Sequence, residues 1–168
     1  MIKEIRRKVE VPGDLDAARA ILQGVLGNAC ADVALGYADE LCVCIGDQVA
    51  LLNAGGRKFP LYAWELTSRG TYWQMVTSEK NIVTSRDRQE EIRANVQPLK
   101  EARILSCEIT YPSLGLVVTF SNDYELEIRP TVEDATYEMA YWRLLTPALM
   151  VLEAGPGPYW SYTRADVP

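Results

Sequence analysis

The chain has 168 residues, 48% of them hydrophobic and 24% charged, with a formal net charge of −6. That balance describes one folded domain, or two small halves sharing a core, able to fold without a metal or disulfide, and it excludes a disordered chain. The acidity argues against a nucleic-acid partner, which is held mainly by Lys and Arg. The complete lack of histidine excludes a Ser-His-Asp triad, a Cys-His dyad and every histidine metal site.

Residues 2–11 predict a first strand anchored by Ile5, Val9 and Val11. Pro12-Gly13-Asp14 then turns into a helix, with Asp14 as its cap and Leu15, Ala18, Ile21, Leu22 and Val25 as its apolar stripe. Gly27-Asn28 ends it. Strands are expected near 29–36 and 41–45. Gly46-Asp47 offers a two-residue hairpin loop, with 48–52 returning antiparallel, and the stretch from Gly55-Gly56 to Pro60 reads as loop. Further strands at 61–66 and 71–77 join around Ser68-Arg69-Gly70.

In the second half a helix over 88–97 starts at Ser85 or Asp87, with Glu90 placed for a capping box, and Pro98 ends it. Strands follow at 103–111 and 114–120, then a Ser121-Asn122-Asp123 loop and a return at 124–129. Two more lie at 139–145 and 148–153, and Gly155-Pro156-Gly157-Pro158 opens an irregular tail.

The two halves carry the same order of elements. Leu41-Cys42-Val43-Cys44-Ile45 aligns with Leu116-Val117-Val118-Thr119-Phe120, about 75 positions on. Ala18, Leu22 and Val25 align with Ile92, Val96 and Leu99, and Trp64-Glu65-Leu66 aligns with Trp142-Arg143-Leu144. The offset grows only across loops, as in a diverged duplication. The expectation is therefore an α+β protein of two pseudo-repeated units, residues 1–78 and 79–168. Each is a helix with an antiparallel sheet, packed about one core or side by side. A β-barrel or sandwich with peripheral helices is the alternative.

In the second hairpin Phe120 faces Tyr124, Val118 faces Leu126 and Leu116 faces Ile128, while Thr119 and Val117 face Glu125 and Glu127. One face is apolar and the other wet, as in a half-solvated sheet. In the first hairpin Leu41, Val43, Ile45, Ala50 and Leu52 form the apolar face. The reverse face carries Cys42, Cys44, Val49 and Leu51 and needs a cover. The 15–26 helix is the first choice for it; a homodimer contact through these four residues is the second.

The thiols of Cys42-x-Cys44 share one face of a strand, and with Cys30 and Cys107 they make four potential metal ligands. The spacing is tighter than usual for zinc and the neighbours are apolar, which favours packing; no metal or cofactor is expected. Four cysteines without a secretion signal point to reduced thiols and a cytoplasmic protein. No apolar run is long enough to span a bilayer. Gly55-Gly56-Arg57-Lys58 lacks Walker spacing, and Gly155-x-Gly157 opens no helix.

Two functional readings follow. The first is a non-enzymatic interaction module, such as an intracellular inhibitor or an immunity- or antitoxin-like protein. It would bind another protein, of basic character, through Asp123, Glu125, Glu127, Tyr159, Trp160 and Tyr162. The second is a small-molecule binder or histidine-independent enzyme with a pocket between the halves, lined by Glu65, Tyr111, Asp123 and Tyr141.

Overall fold

Alternating apolar and polar residues make strand the dominant regular structure of this chain. The computed structural model describes residues 3–131, 134 and 138–165. It opens with β1 (Ile5–Lys8), then α1 (Asp16–Leu22) flanked by 3-10 turns at Pro12–Leu15 and Gln23–Val25. Next come β2 (Cys30–Leu35), β3 (Leu41–Ala54), β4 (Arg57–Thr67), β5 (Trp73–Val76) and β6 (Asn81–Thr84). The short α2 (Gln89–Asn95) leads through a 3-10 turn at Gln97–Leu99 to β7 (Ile104–Ile109), β8 (Leu116–Phe120) and β9 (Glu125–Ile128). The chain closes with β10 (Trp142–Leu145), β11 (Met150–Ala154) and β12 (Tyr159–Arg164).

The strands form two antiparallel sheets, one of seven strands in the order β1-β12-β11-β10-β4-β3-β2 and one of five in the order β6-β5-β9-β8-β7. With two short helices beside them, this is a mixed fold dominated by strands. Each sheet grows from a three-strand meander, β2-β3-β4 or β7-β8-β9. The chain then crosses over: β5, which follows β4, pairs with β9, and β10, which follows β9, pairs with β4. Both sheets thus draw strands from either side of residue 78, and one hydrophobic cluster joins them.

The meanders agree in detail. Each first strand carries a bulge at its start, between Cys30 and Asp32 in β2 and between Ile104 and Ser106 in β7. Each crossing strand begins with a fully buried Trp whose indole N–H reaches a backbone carbonyl across the core. Trp73 donates to Asp39 at 3.2 Å, and Trp142 donates to Leu114 at 2.9 Å. Both acceptors stand in left-handed backbone just before β3 or β8, with φ of 62° and 59°. The two sheets touch where Ala29 bridges Arg103. Around it Gly27 N–H donates to Ile104 and Ile104 N–H to Asn28, while Cys30 N–H donates to Ala102 and Glu101 N–H to Cys30.

The stripe of the first helical segment is buried as expected at Leu15, Ala18, Leu22 and Val25. Asp14 works backward, however. Its carboxylate accepts from the N–H groups of Glu10 and Val11 at 2.9 and 3.1 Å, and pairs with Arg7 at 2.9 Å. It caps the 3-10 turn that opens the helical segment, from inside that turn and back onto Val11, and does not serve as the N-cap residue of α1. Asp87 likewise accepts from Thr84 N–H at 2.8 Å, so Glu90 forms no capping box with it. The expected register of the second hairpin is the one observed, Val118 opposite Leu126 and Thr119 opposite Glu125.

The first hairpin differs from its expected form. The chain does not turn at Gly46-Asp47, where the register shifts by a bulge, but runs on to Ala54 and turns at Gly55-Gly56, both with positive φ (60° and 77°). Two left-handed residues in sequence suit the tight turn of a twisted hairpin. Of the stretch read as loop, Gly55-Gly56 is the turn and Arg57 to Pro60 belong to β4, and 48–52 does not return on 41–45. The two Trp-x-Leu stretches lie on adjacent strands, β4 and β10, with Leu144 opposite Leu66; β4 closes the first meander, whereas β10 crosses over to it. The segments β6 and β12 also come out as strands although no expectation placed them.

Candidate functional site

Cross-strand partners share a face, so the register of the seven-stranded sheet fixes which side chains meet. One face runs Val33, Val43, Leu66, Leu144, Leu152 and Tyr162, and it lines the core. The opposite face begins with Asp32, Cys44 and Glu65 in one row and Ala34, Cys42 and Thr67 in the next, then continues onto Arg143 and Leu145 of β10. α1 packs against β7, not against this outer face, so the cover expected from the helix is not the one found. In its place lies a depression of about 540 Å³ over the β4–β10 seam, with Tyr37, Glu40, Cys42, Glu65, Arg143 and Val151 in its wall.

The charges around this depression are mostly paired. Arg69 meets Glu40 at 3.4 Å, Arg143 meets Glu153 at 3.5 Å, and Asp32 meets Lys100 at 3.2 Å. At one end the sulfurs of Cys42 and Cys44 and a carboxylate oxygen of Glu65 lie within 4.8 Å of one another. All three residues are half-buried. The hydrogen bond that Cys42 donates to Cys44, together with burial and the Glu65 carboxylate, pushes the Cys42 thiol well up. The same bond holds Cys44 down, against burial and the charges of Glu65 and Asp32. Cys30 and Cys107 instead point into the core, where burial raises each thiol to about 12.

The second exposed feature is the outer length of the β3–β4 hairpin. Every residue from Asp47 to Pro60 is exposed. Leu52 stands opposite Phe59 and Leu51 opposite Pro60, so both faces of this arm show apolar side chains to solvent. Val49, Leu51, Leu52 and Phe59 are 63%, 57%, 50% and 48% exposed. Val49 and Leu51 therefore belong to the arm, whereas Cys42 and Cys44 belong to the depression, and the four do not form one face as expected.

The expected partner-binding residues are scattered. Asp123 is exposed in the β8–β9 turn, where it accepts from the Ser78 hydroxyl at 2.6 Å, and with Glu125 it lines a separate depression of about 470 Å³. Glu127 is half-buried and accepts a hydrogen bond from the Gln74 side-chain amide. Tyr159 is half exposed, but Trp160 is buried, with its indole N–H on the Asp14 carbonyl at 2.8 Å, and Tyr162 is buried beside Thr146. Of the residues expected in a pocket, Glu65 and Asp123 line different depressions. Tyr111 donates to the Glu10 carbonyl at 3.1 Å, and the buried Tyr141 hydroxyl accepts from Gly157 N–H at 3.0 Å.

Sequence reasoning missed the arm and the approach of Glu65 to the two thiols. The first was readable in Gly55-Gly56 as a hairpin turn; the second needs the β3–β4 register. No helix among the described residues is long and apolar enough to cross a membrane. Compared with protein-family models, curated proteins and solved structures, the chain matches none.

Proposed function

We propose that this protein is a binding module and not a catalyst, built from two copies of one unit, of which the first has gained a docking arm. The duplication is supported by the matched bulges, the matched tryptophan anchors and the way Gly27–Cys30 and Glu101–Ile104 pair with each other. On this reading the units are residues 1–78 and 79–168 and exchange their crossing strands.

The observation that carries the binding role is the arm. A two-stranded ribbon is marginal by itself, and an exposed apolar one invites pairing. Residues 48–60 hold Arg57 and Lys58 and no carboxylate, on a chain whose net charge is −6. The occupant that fits is a second copy of the chain, whose acidic body complements the cationic tip while its apolar residues cover Leu51, Leu52 and Phe59. The hairpin acids Asp123 and Glu125 then remain outward for a basic polypeptide.

Light scattering on the purified protein tests this. A dimer at micromolar concentration that becomes a folded monomer in Leu51→Glu/Phe59→Glu supports the reading, and a wild-type monomer at all concentrations overturns it. One observation favours a small-molecule reading: the 540 Å³ depression lies at the seam between strands of the two halves. Its paired charges suit holding a polar ligand better than moving protons.

A further inference from the structure

The outer face places two sulfurs and a carboxylate at one end of an open depression, and that arrangement has a chemical consequence independent of the arm. Cys42 and Cys44 alternate along β3, so both side chains leave the same side of the strand. Glu65 is the cross-strand partner of Cys44 and brings its carboxylate to the sulfurs from β4. We infer that Cys42, Cys44 and Glu65 form a binding site for a thiophilic divalent cation of the Zn²⁺ class.

Four points support this. With Zn–S near 2.3 Å and Zn–O near 2.0 Å, tetrahedral ligands stand about 3.5–3.8 Å apart. Three atoms already within 4.8 Å reach that spacing by small side-chain rotations. All three lie on adjacent, hydrogen-bonded strands, which hold them better than a loop would. Cys42 and Glu65 also line the depression, which gives the ion a path of entry. Finally, Asp32, the other neighbour of Cys44, is already held by Lys100 and by Val33 N–H, at 3.2 and 2.9 Å. The fourth position is thus left to solvent or to a ligand entering from the depression, past Tyr37 and Arg143. Binding releases the thiol protons to solvent and forms two metal–sulfur bonds and one metal–oxygen bond, with no change of oxidation state.

Cys107 is the internal control, since it is buried in the core and belongs to no cluster of potential ligands among the described residues. Titrating the reduced protein with Cd²⁺ or Co²⁺ should give one equivalent bound and a thiolate-to-metal charge-transfer band. With Zn²⁺ at a hundredfold excess over its dissociation constant, Tm should rise by about 5–10 °C. Cys42→Ser/Cys44→Ser should lose the band, and Glu65→Gln should weaken binding about tenfold or more. In the wild-type protein, one equivalent of Zn²⁺ should block alkylation of Cys42 and Cys44, mapped by mass spectrometry; this readout decides the matter if the serine variant does not fold. Absence of a charge-transfer band, persistence of the band without Cys42 and Cys44, or unchanged alkylation of those two residues would each overturn the assignment.

Discussion

Two hairpins that start alike end differently. In β8–β9 the strands turn at Ser121-Asn122-Asp123 as soon as the core face is used up, and every residue of β9 is at least half-buried. In β3–β4 the same apolar run, Leu41, Val43 and Ile45, is buried to the same depth, but the strands continue well past the core. The comparison separates what folds the protein from what extends it. Burial of the inner segment stabilises both sheets, while the outer ribbon gains almost nothing from the core, and on the proposed reading it serves a contact outside it.

The largest test of this separation acts on the shared part. Trp142→Ala and Trp73→Ala each remove a fully buried indole and its hydrogen bond, and each should cost about 3–5 kcal/mol in denaturant unfolding. Equal losses sharpen the comparison; a loss below about 2 kcal/mol at one site breaks it.

The next test uses the core thiols. Burial raises Cys30 and Cys107 to about 12 in the folded chain, from 9.0 when free. Between those values the unfolded chain binds fewer protons, so the stability these groups contribute is complete below pH 9 and falls by about 1.4 kcal/mol per pH unit per thiol above it. Cys107→Ala should therefore flatten the alkaline limb of a stability–pH curve. An identical slope in that variant would place the loss elsewhere.

A smaller effect is expected from the arm. Joining Ala50 to Leu61, which are paired, through an Asn-Gly turn removes Leu51, Leu52 and Phe59. Measured at concentrations where the protein is monomeric, stability should change by less than about 1 kcal/mol, because the deleted residues are exposed there. A loss of several kcal/mol would show that the ribbon supports the fold after all.

The smallest effect concerns the entry to α1. The N–H groups of Glu10 and Val11 hold the Asp14 carboxyl below its usual range. Its stabilising contribution is present above the unfolded carboxylate value, about 3.9, and disappears as pH falls through the lower folded one. Asp14→Asn should weaken the acid dependence of Tm below about pH 4. An unaltered acid limb would remove this role from Asp14.

Legibility in the sequence followed local periodicity. The second hairpin was readable to the residue because Leu116 to Ile128 alternates cleanly across a short polar turn. The first was misread because Gly46-Asp47 has turn chemistry, yet the backbone spends it on a bulge, and Gly55-Gly56 makes the turn instead. The helix stripes were readable, while β6 is a four-residue edge strand paired with its near neighbour β5, and β12 lies between its near neighbour β11 and the sequence-distant β1. The cysteine spacing was visible, but Glu65 reaches the sulfurs only through pairing that local pattern does not encode.

The pairing of Ile5 with Tyr162 has a further consequence for biosynthesis. β1 finds its partner only after every strand between the two has been translated. Until then β1, whose neighbour in the sheet is β12, stays unpaired. Completion of the larger sheet is therefore a late step with high contact order.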